Sequence, residues 1–244
     1  MKTLKILIPV LVLVAFTGCD VLDQEPQQSV SSESVFTSRD GAENALQGAY
    51  NVLQEYDGDD GILLRHIYYT ELVSDNAEHT GSFPSWLRLA QHDPDATNAE
   101  ARETWLGAYY MINVCNNVIA YVPDINEEGF TDAAKNGLIG QAEALRAYTY
   151  FMLMQWWGGA DGGATVGGTK LGVPLVLEPT EGITEASKVE RAPAQQVWDQ
   201  IKTDLEAAAQ KLSGGASGSP FITGDAVNAL LARVHLDAAS KGIS

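Results

Sequence analysis

Apolar residues along this chain recur in three- and four-residue steps over long stretches, and each such stretch predicts a helix with one greasy face. From Thr37 the positions Asp40, Ala42, Ala45, Leu46, Ala49, Tyr50 and Leu53 keep that spacing, and Asp57-Gly58-Asp59-Asp60-Gly61 ends the run. A second helix is predicted from Ala99 to Tyr121, with Trp105, Ala108, Tyr109, Ile112, Cys115, Asn116 and Ile119 in one stripe and Pro123 as its stop. The third, Asp132 to Trp157, carries Leu138, Ala142, Leu145, Tyr148, Phe151, Met152 and Gln155. A fourth, Pro193 to Leu212, repeats the rule with Val197, Trp198, Ile201, Leu205, Ala208 and Leu212. Thr223 to Ala239 supplies a fifth, with Val227, Leu230, Leu231 and Val234 inward.

Burying one large apolar side chain contributes about 1.5–3 kcal/mol, so these stripes must meet one another. Alternation with period two is confined to Gly172-Val173-Pro174-Leu175-Val176-Leu177, a candidate extended segment. The expected class is therefore all-α with long loops. Alanines such as Ala142, Ala144, Ala147, Ala207 and Ala208 permit close helix crossings, as in stacked helix pairs. No strict 34-residue repeat emerges.

The N-terminus reads differently. Met1 to Lys5 is short and basic, Ile6 to Phe16 is apolar, and Thr17-Gly18-Cys19 closes the segment. This is the pattern of a secretion signal, too short and too interrupted by Pro9 to span a bilayer. Small residues before a cysteine predict a lipoprotein signal over residues 1–18, with lipid attached to Cys19, although Phe16 stands where such signals usually carry an aliphatic residue. Several acyl chains on one residue anchor a protein without spanning, each buried CH₂ being worth about 0.8 kcal/mol. Residues 19–34 are polar, contain Pro26 and lack periodicity, so they read as a flexible tether. A single folded body is expected over residues 35–244.

Charge and cysteine count narrow the function. The 244 residues carry a net charge of −17, which excludes a broad nucleic-acid surface, because phosphate neutralisation needs Lys and Arg. With Cys19 lipidated, Cys115 is left without a partner, and the core must hold without a disulfide.

Several blocks in order carry a resemblance. They are Leu22-Asp23-Gln24-Glu25-Pro26; Ala42 to Tyr50, ending in Gly48-Ala49-Tyr50; Glu71-Leu72-Val73-Ser74-Asp75; and Trp105 with Tyr109-Tyr110-Met111-Ile112-Asn113. Asn116-Asn117-Val118-Ile119 follows, then Ala142-Glu143-Ala144-Leu145-Arg146-Ala147-Tyr148-Thr149-Tyr150-Phe151, Trp157-Gly158-Gly159 and Gly172-Val173-Pro174-Leu175. Arg191-Ala192-Pro193, Ile201 with Asp204-Leu205, and Ala229 to Val234 complete the series. Together these make the chain similar to the SusD/RagB family of outer-membrane nutrient-binding lipoproteins. The resemblance implies tetratricopeptide-like helix pairs in an αα-superhelical scaffold with long loops. It also implies a cell-surface lipoprotein, held at the outer membrane, that binds glycan or oligosaccharide and passes it to a SusC-like TonB-dependent porin. Two departures accompany it. The Gly-rich stretch from Ala160 to Leu171 is longer than in many relatives, and the chain stops at Ser244 where relatives run about twice as long. Residues 35–244 are accordingly expected to be an incomplete N-terminal helical domain, with part of the fifth helix's apolar face uncovered.

Signatures of catalysis are missing. The chain has no His-Glu-x-x-His, no Gly-x-Ser-x-Gly, and Gly163 to Lys170 lacks the order of a phosphate loop. His66, His79 and His92 fall in segments that read as loops without ligand spacing, so no metal and no cofactor are expected. The Asp57/Asp59/Asp60 cluster lacks the glycine and glutamate of a calcium loop and reads as a solvated turn. Nothing singles out a carboxylate pair for glycoside hydrolysis.

Sugar recognition needs aromatic platforms beside hydrogen-bonding side chains. The stretch from Ser74 to Arg88 holds that mixture outside any clear helix, and the resemblance places ligand contacts in the corresponding loop region. The expected site is Trp86 as stacking platform with Asp75, Asn76 and Arg88 as hydrogen-bonding partners; in the competing reading Trp86 plugs the scaffold and Asp75 caps a helix. Trp105, Trp156, Trp157 and Trp198 are expected in the core. Arg146 is expected to pair with a buried carboxylate or helix terminus, and Asn113, Asn116 and Asn117 to satisfy loop backbone. A protein-binding helical scaffold without glycan affinity, and a polysaccharide-acting enzyme, are the other function classes.

Overall fold

A computed structural model describes residues 32–74, 76–158, 165–166, 169–182, 184–212 and 219–243. The expected signal segment, Cys19, most of the expected tether, most of the Gly-rich stretch from Ala160 to Leu171, and Asp75 lie outside the described residues. After a helical turn, α1 (Ser32–Val35), come α2 (Arg39–Gln54), the strands β1 (Glu55–Tyr56) and β2 (Asp59–Asp60), and helices α3 (Ile62–Val73) and α4 (Pro84–Ala90). The long helices α5 (Ala99–Tyr121) and α6 (Asp132–Trp156) follow, then strands β3 (Thr165–Val166), β4 (Thr169–Pro174) and β5 (Arg191–Pro193). Helices α7 (Ala194–Lys211) and α8 (Gly224–Ser240) end the order.

The long helices start where side-chain caps permit. Ser38, Asn98, Thr131 and Thr223 each accept a hydrogen bond from the backbone N–H three residues on, at 3.1–3.4 Å. Each cap satisfies a donor that a helix start leaves open, worth about 1 kcal/mol. Between β1 and β2 the turn residues Asp57 and Gly58 both have positive φ, 56° and 78°. Asp-Gly is a preferred pair for such a two-residue hairpin loop, so the aspartate cluster is a turn by virtue of its backbone.

Stacked helix pairs build the body, with α2 against α5, α5 against α6, α6 against α7 and α7 against α8. α6 lies at the centre: from Ile139 to Met154 only Gln141 and Tyr148 escape full burial. A helix apolar on nearly every face can exist only with neighbours on every face. Crossings are close where side chains are small. A Cβ on Gly107 of α5 would come 2.7 Å from Cγ2 of Ile62, so α3 sits on α5 only because that position is glycine. On α8, Val227, Val234 and Ala238 are buried, Leu230 and Leu231 are half-buried, and Leu236 is 73% exposed.

Two helices, α3 and α4, occupy stretches whose hydrophobic pattern reads as loop. In α3 the apolar residues surround the helix: Ile62 is buried while Leu63, Ile67 and Tyr68 are exposed, so no single stripe stands out. α4 has seven residues and begins with Pro84, too few for a periodicity to show. The predicted extended segment is shifted as well. Residues 169–174 form the middle strand of an antiparallel β3-β4-β5 sheet, and 175–177 continue outside it.

Those later residues are held by hydrogen bonds from the helices. Tyr109 Oη donates to the Pro174 carbonyl at 2.8 Å, and the Tyr150 hydroxyl both donates to the Val176 carbonyl and accepts from its N–H, each at 2.8 Å. Asn116 Nδ2 donates to the Val176 and Glu178 carbonyls, and Asn113 Oδ1 accepts from the Thr180 N–H. Asn116 and Asn113 thus satisfy loop backbone as expected; Asn117 departs, its Oδ1 being buried with no partner among the described residues.

Arg146 of α6 reaches the expected buried carboxylate. Its Nε and Nη2 donate to the two oxygens of Asp204 on α7 at 2.8 and 2.7 Å, and Nη1 donates to Asn116 Oδ1 of α5 at 2.8 Å. Both charged side chains are almost withdrawn from water, at 7% and 4% exposure. Asp204→Ala strands the guanidinium without its counter-ion and is expected to lower unfolding free energy by about 3–5 kcal/mol, whereas Arg146→Met with Asp204→Leu loses less, both measured by urea denaturation. Burial also pushes the Cys115 thiol up to about 12 from its usual 9.0. The folded protein keeps that proton while the unfolded chain releases it, so stability should fall as pH rises from 9.0 towards about 12. Disulfide reagents at pH 8 should label Cys115 only at the rate of unfolding, and rapid labelling of the native protein would contradict its placement.

Candidate functional site

The candidate site grows from the way α4 is fixed. Ser85 Oγ donates to Glu100 at 3.1 Å, and Asn98 Nδ2 donates to the Ser85 carbonyl at 2.9 Å, so the first turn of α4 is tied to the start of α5. Arg65 of α3, 3% exposed, pairs with the same Glu100 and donates to the Asp60 carbonyl. Three helices therefore share one half-buried carboxylate, and that junction sets the direction of the next residue, Trp86.

Trp86 is half-buried, with its ring edge to face against Tyr68 of α3, at 5.9 Å between centroids and 81° between planes. The pair opens into a pocket of about 250 Å³ lined also by Glu71, Leu72, Ala77 and His79. Two aromatic faces, a carboxylate and an imidazole give one apolar wall and several hydrogen-bonding edges.

The other expected partners divide. Asn76 is exposed on the loop that supplies Ala77 to the pocket. Arg88 turns away: its guanidinium pairs with Asp95 and Asp93, and Nε donates to the Asp93 carbonyl at 3.0 Å. It serves the α4–α5 connection, a role invisible in spacing because its partners lie in an irregular loop. Tyr68 and His79 were absent from the expected set. The only signal for Tyr68 was its place in an apolar stretch without a clean stripe.

A second aromatic group begins one residue along. Tyr69 packs on Trp156 at 4.0 Å, Trp156 on Trp157 at 5.1 Å, Trp157 on Trp105 at 5.2 Å, and Trp105 on Tyr109 at 4.9 Å. Trp156 Nε1 donates to His66 Nδ1 at 2.7 Å, which requires that nitrogen to be unprotonated; burial, helped by Arg233, holds the imidazole below its ordinary range. Trp198 is the tryptophan of the core, 1% exposed, whereas Trp105, Trp156 and Trp157 are only half-buried. The expectation that all four are core therefore fails for three: they sit at helix rims, where the stripe meets solvent. Trp105 and Trp157 line a cleft of about 280 Å³ with Asn98 and Arg102.

Among the described residues no group of three or more His, Cys, Asp or Glu side chains could hold a metal ion. No helix among them is long and apolar enough to cross a membrane.

Comparison with known proteins gives this geometry a family. A SusD-like family model, described as "Starch-binding associating with outer membrane", matches residues 20–236. A SusD-like protein of Formosa agariphila is 26% identical over 227 residues, covering 91% of this chain and 40% of the relative. One from Bacteroides ovatus is 23% identical over 235 residues, covering 95% and 39%. The chain thus spans well under half the length of these relatives. Among solved structures, a SusD superfamily protein from Bacteroides fragilis superposes with a TM-score of 0.68 at 21% identity, covering 83% of this chain and 46% of that one. A SusD-like carbohydrate binding protein from Bacteroides vulgatus gives 0.67 at 23% identity, covering 82% and 41%. With a family model matching most of its length and the same helical architecture in solved members, the chain belongs to the SusD-like family.

Proposed function

We propose that this protein is a lipid-anchored receptor of the outer membrane, displayed at the cell surface, that binds glycan and hands it to a SusC-like TonB-dependent porin. SusD-like proteins are non-catalytic binding proteins associated with carbohydrate uptake, and a solved relative is described as carbohydrate binding. The anchor is Cys19, which closes a signal-like segment. The tether after it gives the body reach from the membrane surface.

The observation that carries the binding reading is Trp86, poised edge to face on Tyr68 over its pocket and fixed from behind by the Ser85–Glu100–Arg65 junction. A sugar ring presents flat C–H faces and hydroxyl edges. Trp86 and Tyr68 supply the apolar surface, while Glu71, His79 and, from its exposed loop, Asn76 supply hydrogen bonds. Asp75 adjoins Asn76 in sequence and belongs to the same proposed site. Arg88 acts indirectly, holding the segment that follows α4.

Trp86→Ala is expected to weaken binding of a recognised glycan about tenfold, measured by calorimetry after a glycan-array screen, with the helical circular dichroism unchanged. Unchanged affinity in a demonstrated glycan binder would reject Trp86 as platform. Cys19→Ser should move the protein from the membrane fraction to the soluble one, and persistent membrane association would reject the anchor.

A further inference from the structure

The outer face of α2 holds a feature that glycan binding at Trp86 does not use. Asn44, Gln47, Asn51 and Gln54 follow one another at steps of three, four and three residues, all exposed, so four uncharged amides form one row. At a rise of 1.5 Å per residue the row is about 15 Å long. A cleft lies at each end. The first, about 380 Å³, has Leu46 and Leu138 in its lining with Asn44, Gln47, Gln141 and Phe221. The second, about 660 Å³, is lined by Asn51, Gln54, Glu55 and Asp57.

The first cleft is organised before any ligand arrives. Phe221, 42% exposed, packs on Tyr50 at 5.2 Å between centroids. The Tyr50 hydroxyl donates to Gln141 Oε1 at 2.9 Å and accepts from the Ile222 N–H at 3.1 Å, which fixes the backbone beside Phe221. Gln141 Nε2 is in turn held by the Gly137 carbonyl at 3.1 Å. An exposed aromatic ring at a cleft of a size usual for small-molecule sites is thus followed by a line of groups that both donate and accept.

We infer that the face of α2 is a second saccharide-binding surface, taking a neutral oligosaccharide with one ring on Phe221 and its hydroxyl edge along Asn44, Gln47, Asn51 and Gln54. Amides match hydroxyls because each carries both hydrogen-bonding senses without a charge to desolvate. The acidic residues Glu55 and Asp57 border the far end of the row, Glu43 at the near end being paired with Arg39, and with a net charge of −17 they repel uronates and sulfated sugars. An extended peptide is the poorer fit, because among the described residues the second cleft is lined by amides and carboxylates and offers no apolar side-chain pocket.

The test uses the whole chain carrying Trp86→Ala, so that the pocket at α4 does not contribute. Maltohexaose, cellohexaose, xylohexaose and mannohexaose are titrated by calorimetry, beside oligogalacturonate and an acetylated, amidated serine–alanine peptide. At least one neutral sugar should bind, and both Phe221→Ala and the double substitution Gln47→Ala with Asn51→Ala should weaken it about tenfold. These positions are exposed and alanine favours helix, so the folded signal should persist. Failure of every neutral sugar to bind, equal binding of oligogalacturonate or the peptide, or affinity unchanged by the α2 and Phe221 substitutions would overturn the inference. The Trp86 reading stands or falls separately, on Trp86→Ala alone.

Discussion

A positive charge in the middle of a helical core constrains everything around it. Arg146 sits on the most buried helix and is removed from water on all sides, so each of its donors must find an oxygen or the fold loses several kcal/mol. Asp204 answers from α7, Asn116 from α5, and through Asn116 Nδ2 the same network reaches the backbone carbonyls of Val176 and Glu178. Dispersion and apolar burial bring α5, α6 and α7 together with little preference for register. The bidentate Arg146–Asp204 pair, with Gln200 also on Asp204, selects one register.

That rigid middle explains how smaller elements at the edge hold aromatic rings in place. α3 and α4 bury little of their own, yet Gly107 lets α3 approach α5, and the Arg65–Glu100–Ser85 junction ties both short helices to the α5 start. Rings held at the surface result: half-buried Trp86 against exposed Tyr68 on one side, and the half-buried Trp156–Trp157–Trp105 run on another. Such rings have one face packed and one face able to meet a partner, which neither a core residue nor a mobile loop residue provides.

Much of the fold was legible because its long helices obey simple rules. Stripes at three- and four-residue spacing, with stops such as Pro123, locate the five main helices closely. α3 escaped because Leu63, Ile67 and Tyr68 face outward, so its apolar residues encircle the axis instead of lining one side. α4 escaped because seven residues contain too few turns to show a period. Composition brought Trp86 to notice, but not its neighbours. Tyr68 and His79 come from different segments, and Arg88 looked like a ligand arm because sequence cannot reveal that Asp93 and Asp95 fold back onto it. Trp105, Trp156 and Trp157 were assigned inward because periodicity records which side a residue lies on and says nothing of how far the covering layer extends.

Along the segment from Pro174 to Thr180, Tyr109, Tyr150, Asn116 and Asn113 bond carbonyls and amide hydrogens while Leu175 and Leu177 pack against the core, which leaves the exposed Glu178 and Thr180 side chains chemically uncommitted. A scaffold that grips a segment in this way is indifferent to what its exposed positions spell. Glu178 and Thr180 can drift while Leu175 and Leu177 keep their places on the core, and the same four anchors will hold the main chain. Diversification on this rim is thereby uncoupled from the cost of refolding the body beneath it.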